Sequence, residues 1–167
     1  MTITMVRCAI ALGSNQGNSV DILQKSLAAL NLVPGIFLEA VSSWYQTKPV
    51  GTPQPQPDYL NGCALLSIKQ TPEELLTILQ ATETQFGRVG KGTLQPRTLD
   101  LDLLLYEDLV LDTPDLTIPH PRMTERAFVL VPLAEIAPNW IEPKSGAKIA
   151  QLLGDVDTSG VELYRFA

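Results

Sequence analysis

The sequence predicts an α+β fold: a mostly antiparallel sheet with helices on its faces and additional C-terminal elements. Two observations carry this. Strand-like stretches rich in apolar residues occur at 6–13, 36–47, 59–68 and 97–106. Apolar residues recurring at helical spacing fill 19–33 and 71–87 between them. The resulting order, strand-helix-strand-strand-helix-strand, is the ferredoxin-like βαββαβ arrangement, the split βαβ pattern.

Each element has a local reason. "VRCAIALG" (6–13) is unbroken apolar sequence and reads as a buried strand. "GSNQGN" (13–18) reads as a turn, after which Asn18 or Ser19 can cap a helix carrying Ile22, Leu23, Leu27 and Leu30. Pro34-Gly35 ends that helix. "IFLEAVSSWYQT" (36–47) reads as one strand. "KPVGTPQPQPD" (48–58) holds four prolines and one glycine and reads as a long loop, a kind that is often functional. In "YLNGCALLSI" (59–68) alternation puts Tyr59, Asn61, Cys63 and Leu65 on one face. The clearest helix is 71–87: Thr71 and Glu74 form a capping box, Pro72 takes the first helical position and Gly87 stops it. Leu75, Leu76, Leu79 and Phe86 form its apolar side, and Gln80 and Glu83, three apart, share a face. The loop 88–97 carries Arg88, Lys91 and Arg97 and no acid. After the strand 97–106 come a turn at Glu107-Asp108, a short apolar piece (109–111), and a stretch (116–138) of loop and short helix that Pro132 limits. A short helix near 147–153 and a final strand-like "VELYRF" complete the chain.

The 167 residues suit one domain spanning 1–167. A composition of 45% hydrophobic and 18% charged residues is that of a globular chain. A net charge of −6 argues against a whole-surface nucleic-acid binder but leaves room for a small anionic substrate on a local basic patch. Cys8 and Cys63 sit in apolar strands and read as buried thiols. Arg7 interrupts the apolar N-terminal stretch, no cleavage signature follows, and no run of 18 apolar residues exists; the expectation is a cytoplasmic protein that spans no membrane. There is no GxxxxGK[ST] and no GxGxxG, which excludes a P-loop enzyme and a dinucleotide fingerprint.

The chemistry concentrates in "RTLDLDLLLY" (97–106). Strand residues two apart point to the same side, about 6.5–7 Å along. Asp100 and Asp102 therefore stand side by side, with Leu99, Leu101 and Leu103 on the opposite face. A hard cation would neutralise their repulsion, and Mg²⁺ typically takes one or two carboxylates plus substrate phosphates. The bland alternative is a solvent-facing strand edge. The basic loop directly upstream favours a triphosphate site. His120, the only histidine, lies between two prolines in "IPHPR", near Arg122 and Arg126; it reads as structural or as a phosphate contact rather than a general base. Tyr59 and Asn61 are either ordinary sheet residues or a stacking and hydrogen-bonding pair for a flat heterocycle.

"ALGSNQGN", "QPDYLNG", "PRTLDLDLLLY" and "IPHPRMTERAFVLVPLAEIAP" resemble the signatures of the 6-hydroxymethyl-7,8-dihydropterin pyrophosphokinase family of folate biosynthesis, over about residues 7–140. The resemblance implies transfer of diphosphate from ATP to the hydroxymethyl group of the dihydropterin with release of AMP, on a ferredoxin-like core with two Mg²⁺ ions. It implies that Asp100 and Asp102 hold both metals and that Arg88 and Arg97 stabilise phosphate charge. Gln80, Glu83, Leu103, Thr117, His120 and Arg126 match nucleotide-contacting positions. Thr47, Val50, Tyr59, Asn61 and Phe128 match the pterin pocket, where Tyr59 and Phe128 would sandwich the ring and Asn61 would bond its edge. The partners implied are ATP and the pterin alone, without nucleic acid or membrane, and the chain would act as a monomer.

The chain also departs from the family's pattern. Leu94-Gln95 stand where members often carry a tryptophan, Gly90 where a basic residue is frequent, Asp115 where some relatives carry an arginine, and Lys48 replaces a frequent proline. These changes leave the aspartate pair intact and bear on how the 88–97 loop closes. Two rivals remain at this level: a nucleotidyltransferase that attacks the α-phosphorus, and a non-catalytic relative that kept the pocket.

Overall fold

The computed structural model describes residues 4–16, 18–48, 58–87 and 98–165. Val50, Arg88, Lys91 and Arg97 lie outside these residues, as do Gly90, Leu94 and Gln95. The elements are β1 (Val6–Ser14), α1 (Ser19–Asn31), β2 (Ile36–Val41), β3 (Tyr45–Thr47), β4 (Tyr59–Ile68), α2 (Pro72–Gln85), β5 (Asp100–Tyr106), β6 (Leu111–Asp112), β7 (Thr117–Ile118), a 3₁₀ turn (Met123–Glu125), α3 (Ala127–Ile136), α4 (Ile149–Gly154) and β8 (Glu162–Leu163).

Among the described residues six strands form one sheet in the order β5-β1-β4-β3-β8, with β2 also paired to β4. Every pairing in it is antiparallel. With β2 and β3 taken as successive parts of one interrupted strand, the core order is fourth, first, third, second. This is the ferredoxin-like topology. β6 and β7 form a separate two-stranded ribbon.

The helix ends follow their sequence signals. The Asn18 side chain accepts a hydrogen bond from the Asp21 N–H and caps α1. Thr71 and Glu74 form the reciprocal capping box of α2. Leu23, Leu27 and Leu30 from α1 and Leu75 and Leu79 from α2 bury against Ile10, Leu12, Leu66, Leu99, Leu101 and Leu103 on one face of the sheet. α3 and α4 pack on the other face, against Ala9, Cys63, Leu65, Leu104 and Leu105.

Four local expectations are corrected. The stretch 36–47 is two strands, because the chain turns aside at Ser42–Trp44. Ser42 Oγ accepts the Cys63 N–H at 2.9 Å while the Trp44 ring lies against Gly62, where a Cβ would collide with it. Strand β1 runs one residue past Gly13, so Ser14 belongs to it and not to the turn. Pro132 sits inside a ten-residue α3 rather than breaking it, so the Phe128 carbonyl lacks its usual helical donor. Of the described residues of "VELYRF", 161–165, Glu162–Leu163 form β8 and pair with Gln46 and Tyr45 of β3.

β5 carries a bulge. Leu103 pairs Ile10 but Leu105 pairs Ala9, leaving Leu104 as the extra residue. Leu104 and Leu105 consequently both reach the second face, while Leu103 stays in the first. No helix among the described residues is long and apolar enough to cross a membrane.

The contact at Gly62 yields a stability test. Gly62→Ala is expected to destabilise the fold by about 1–3 kcal/mol through overpacking against Trp44, read as a lower urea midpoint at unchanged m-value. Trp44→Leu in the same chain should recover part of that loss.

Candidate active site

Cross-strand pairing fixes which side chains share a face. Asp100 pairs Gly13, Gly13 pairs Asn61, and Asn61 pairs Tyr45, so these four form one row across β5, β1, β4 and β3. Asp102, Ala11 and Cys63 form the next row on the same face. With strands about 4.8 Å apart, Asp100 and Asn61 stand about 10 Å from each other with only Gly13 between them. A Cβ on Gly13 would sit 3.2 Å from Asn61 Oδ1. The missing side chain leaves a floor of bare backbone between the carboxylates and the amide.

Asn61 is 8% exposed, and its Nδ2 donates to Thr47 Oγ1 at 2.8 Å. That bond orients the amide and leaves Oδ1 and one N–H for another partner. Tyr59, two residues before Asn61, shares its face, and Thr47 is its cross-strand neighbour. Phe128 is exposed at the start of α3, the helix that packs on this same face. The structure thus gathers Thr47, Tyr59, Asn61 and Phe128 on one side of the sheet.

Asp100 and Asp102 are each half-buried, and the leucines between and beside them point into the core as expected. The Arg126 guanidinium guards this end. Burial lowers its pKa, Arg122 lowers it further, and Asp102 and Asp100 act the other way. Both carboxylates are therefore within its electrostatic reach. The same guanidinium lies 5.5 Å from the centre of the Phe128 ring.

The nucleotide-side candidates collect along the edge of β5 that faces away from β1. The Glu83 carboxylate is 3% exposed, and Oε2 accepts the Leu101 N–H at 2.8 Å. Glu83 is thus a tie between α2 and β5, while Gln80, expected on the same helix face, is exposed. Leu103 is 4% exposed in the core. Its backbone, two residues from Leu101, faces the same edge, so a ligand there would meet that backbone and not the side chain. β7, with Thr117, packs beside β5. The bulged Leu104 carbonyl accepts the His120 N–H at 3.0 Å, which anchors the histidine. The Arg122 N–H donates to His120 Nδ1 at 3.3 Å, which assigns the imidazole proton to Nε2. Asp115 is exposed in the β6–β7 turn.

Among the described residues no three His, Cys, Asp or Glu side chains cluster as a metal site. Two hard carboxylate oxygen donors on one face still fit Mg²⁺, which draws its other ligands from water and substrate oxygens. A cysteine nucleophile is excluded: burial pushes the Cys8 thiol up to about 12 and raises Cys63 further.

Sequence reasoning missed Gly13, Tyr45 and Glu135. A glycine ending an apolar strand is a recognised sign of close approach, and it was available for Gly13. Tyr45 and Glu135 meet only through the tertiary fold: Tyr45 Oη donates to Glu135 Oε1 at 2.5 Å.

Comparison with known proteins adds to this geometry. The family model described as 7,8-dihydro-6-hydroxymethylpterin-pyrophosphokinase (HPPK) matches residues 9–138. A Synechocystis protein named 2-amino-4-hydroxy-6-hydroxymethyldihydropteridine pyrophosphokinase is 51% identical over 91% of this chain and 77% of its own length. The Pseudomonas aeruginosa protein of the same name is 42% identical over 93% of this chain and 95% of its own. Among solved structures, a Plasmodium falciparum HPPK-DHPS triple mutant with SDX-DHP aligns at a TM-score of 0.74 and 14% identity, over 90% of this chain and 41% of that one. An HPPK-DHPS in complex with substrates aligns at 0.72 and 11% identity, over 90% of this chain and 43% of that one. At such identities these structures speak to the fold alone.

Two like charges set side by side add little to a fold. Asp102→Asn is accordingly expected to shift the unfolding free energy by less than about 1 kcal/mol. A chemical-denaturation loss well beyond that would make the pair structural.

Proposed function

The chain belongs to the 7,8-dihydro-6-hydroxymethylpterin-pyrophosphokinase family, and from that premise we propose how its residues divide the work of moving diphosphate from ATP to the hydroxymethyl oxygen of 6-hydroxymethyl-7,8-dihydropterin. The enzyme is a pyrophosphokinase of folate biosynthesis. The observation that carries the division of labour is the row Asp100–Gly13–Asn61: anionic metal donors at one end, a ring-reading amide at the other, bare backbone between.

In this reading Asp100 and Asp102 would hold two Mg²⁺ ions, which supply charge neutralisation along the triphosphate. Asn61 bonds the pterin edge while Tyr59 and Phe128 pack on its two faces, with Thr47 and Val50 completing the pocket. The ring's hydroxymethyl group then lies over Gly13, directed at the β-phosphorus. Its oxygen bonds to that phosphorus as the bond to the α,β-bridging oxygen breaks; AMP leaves with the bridging oxygen, and the hydroxyl proton passes to solvent. Arg126 contributes fixed positive charge beside the phosphates, and His120 donates its Nε2–H to them. Gln80, Glu83, Leu103 and Thr117 border the nucleotide along the β5 edge, Glu83 chiefly by holding that edge in place. Arg88 and Arg97, which fall between α2 and β5 in the sequence, would supply further cations. Little covalent chemistry is asked of the protein; it positions and neutralises. A cytoplasmic monomer is part of this reading and rests on the sequence.

Incubation with ATP, Mg²⁺ and the hydroxymethyl-dihydropterin is expected to release AMP. Pyrophosphate release would instead mean attack at the α-phosphorus. Asp102→Ala should lower kcat by roughly 10³-fold or more, and retention of most activity would refute the metal assignment. Gly13→Ala should raise the Kd for the pterin by roughly tenfold in calorimetry, with MgATP affinity little changed, because the new methyl group crowds Asn61 rather than the phosphates.

A further inference from the structure

A single exposed carboxylate on α3 collects three hydrogen bonds from the opposite edge of the sheet. Glu135 Oε2 accepts from the Ser43 backbone N–H at 2.9 Å and from Ser43 Oγ at 3.1 Å. Glu135 Oε1 accepts from Tyr45 Oη at 2.5 Å. Both oxygens are thus committed to the short stretch that contains β3. Nothing in the diphosphate transfer calls on this group, and it lies seven residues from Phe128.

Its position gives the arrangement meaning. Residues seven apart lie on the same stripe of a helix, so Phe128 and Glu135 face the same way from α3. The N-terminal turn that carries Phe128 is internally weak, since Pro132 offers no N–H to the Phe128 carbonyl. Elsewhere α3 is linked to the sheet by packing and by Cys63 Sγ, which lies 3.6 Å from the Val129 carbonyl. On the sheet side, β3 has only three residues. It nonetheless sets the pocket: Thr47 Oγ1 fixes the Asn61 amide, and Tyr45 is the cross-strand neighbour of Asn61. Burial, and then the hydrogen bond and charge of Glu135, push the Tyr45 phenol up to about 12. It remains a donor to Glu135 at any pH where the enzyme would work.

We infer that Glu135 is a positioning residue for the pterin half of the site, clamping β3 to α3 so that Phe128 stands at a fixed height over Tyr59 and Asn61. The inference rests on the functional reading above. It concerns which residue holds the sandwich together, not which residues touch the ring. Because Glu135 is exposed, its bonds add little to global stability; their effect is on geometry. Loss of the clamp lets β3 and the start of α3 separate, which loosens the ring contacts and leaves the carboxylate pair on β5 untouched.

The test uses the full chain with MgATP and 6-hydroxymethyl-7,8-dihydropterin. Glu135→Ala should raise KM for the pterin roughly tenfold while KM for ATP and the unfolding midpoint stay nearly constant. Tyr45→Phe should show part of that rise, and the double variant should be no worse than Glu135→Ala, since both remove one interaction. Parallel changes in both KM values together with a lowered midpoint would reduce Glu135 to a structural residue and overturn the inference. Hydrogen exchange supplies a readout independent of turnover: the Ser43, Tyr45 and Thr47 amides should lose protection in Glu135→Ala. Unchanged protection would overturn the clamp even if the wild-type chain turned over, whereas a wild-type chain that failed to turn over would overturn the functional reading instead.

Discussion

The site depends on the register of β1 between its two neighbours. Among the described residues β1 is the strand paired with both β5 and β4, and it brings the carboxylates of one into line with the amide of the other. A shift of one residue against β5 would send Asp100 and Asp102 into the leucine core, where ionised carboxylates are very costly, and a shift against β4 would part them from the face of Asn61. The apolar leucines that alternate with them make the same demand from the opposite direction. Packing on one face therefore enforces chemistry on the other, and little additional device is needed to keep the acids facing outward.

Within that register, small departures from regularity do the local adjustment. The bulge at Leu104 lets β5 serve two cores in seven residues: Leu101 and Leu103 under α2, Leu104 and Leu105 under α3 and α4. It also turns a carbonyl outward for His120. The break at Ser42–Trp44 is a second such adjustment. It lets one tryptophan fill the space above Gly62 on the core side while Ser43 and Tyr45 turn to Glu135 on the other. In both places the ladder of backbone hydrogen bonds is interrupted and its loss is made good by a nearby side chain or loop.

Much of this was readable in the residues themselves. The capping box of α2, the strand at 59–68 and the opposite facing of acids and leucines in β5 all follow from local spacing, which is why they agree with the structure. The failures share a cause. The break in 36–47 arises because Trp44 finds Gly62, the endurance of α3 through Pro132 because Val129, Leu130 and Leu133 are buried against the sheet, and the tie of Glu83 to Leu101 because two elements pack. Each is a contact between residues far apart in the chain, and no window of sequence contains it. The residues 49–57 and 88–97 are a different case: Val50 is assigned from the chain's resemblance alone, and Arg88 and Arg97 from the basic patch in the sequence together with that resemblance.

β5 lies at the rim of the sheet, and its run of leucines would be an inviting template for a second chain to zip onto. Glu83 occupies one of its outward N–H groups and the segment leading to His120 occupies one of its outward carbonyls. The groups proposed to border the nucleotide thereby also deny that rim to other molecules. A lesion at Glu83 would consequently be felt as insolubility and self-association of the folded protein, a colloidal fault arising from what looks like a substrate-binding residue.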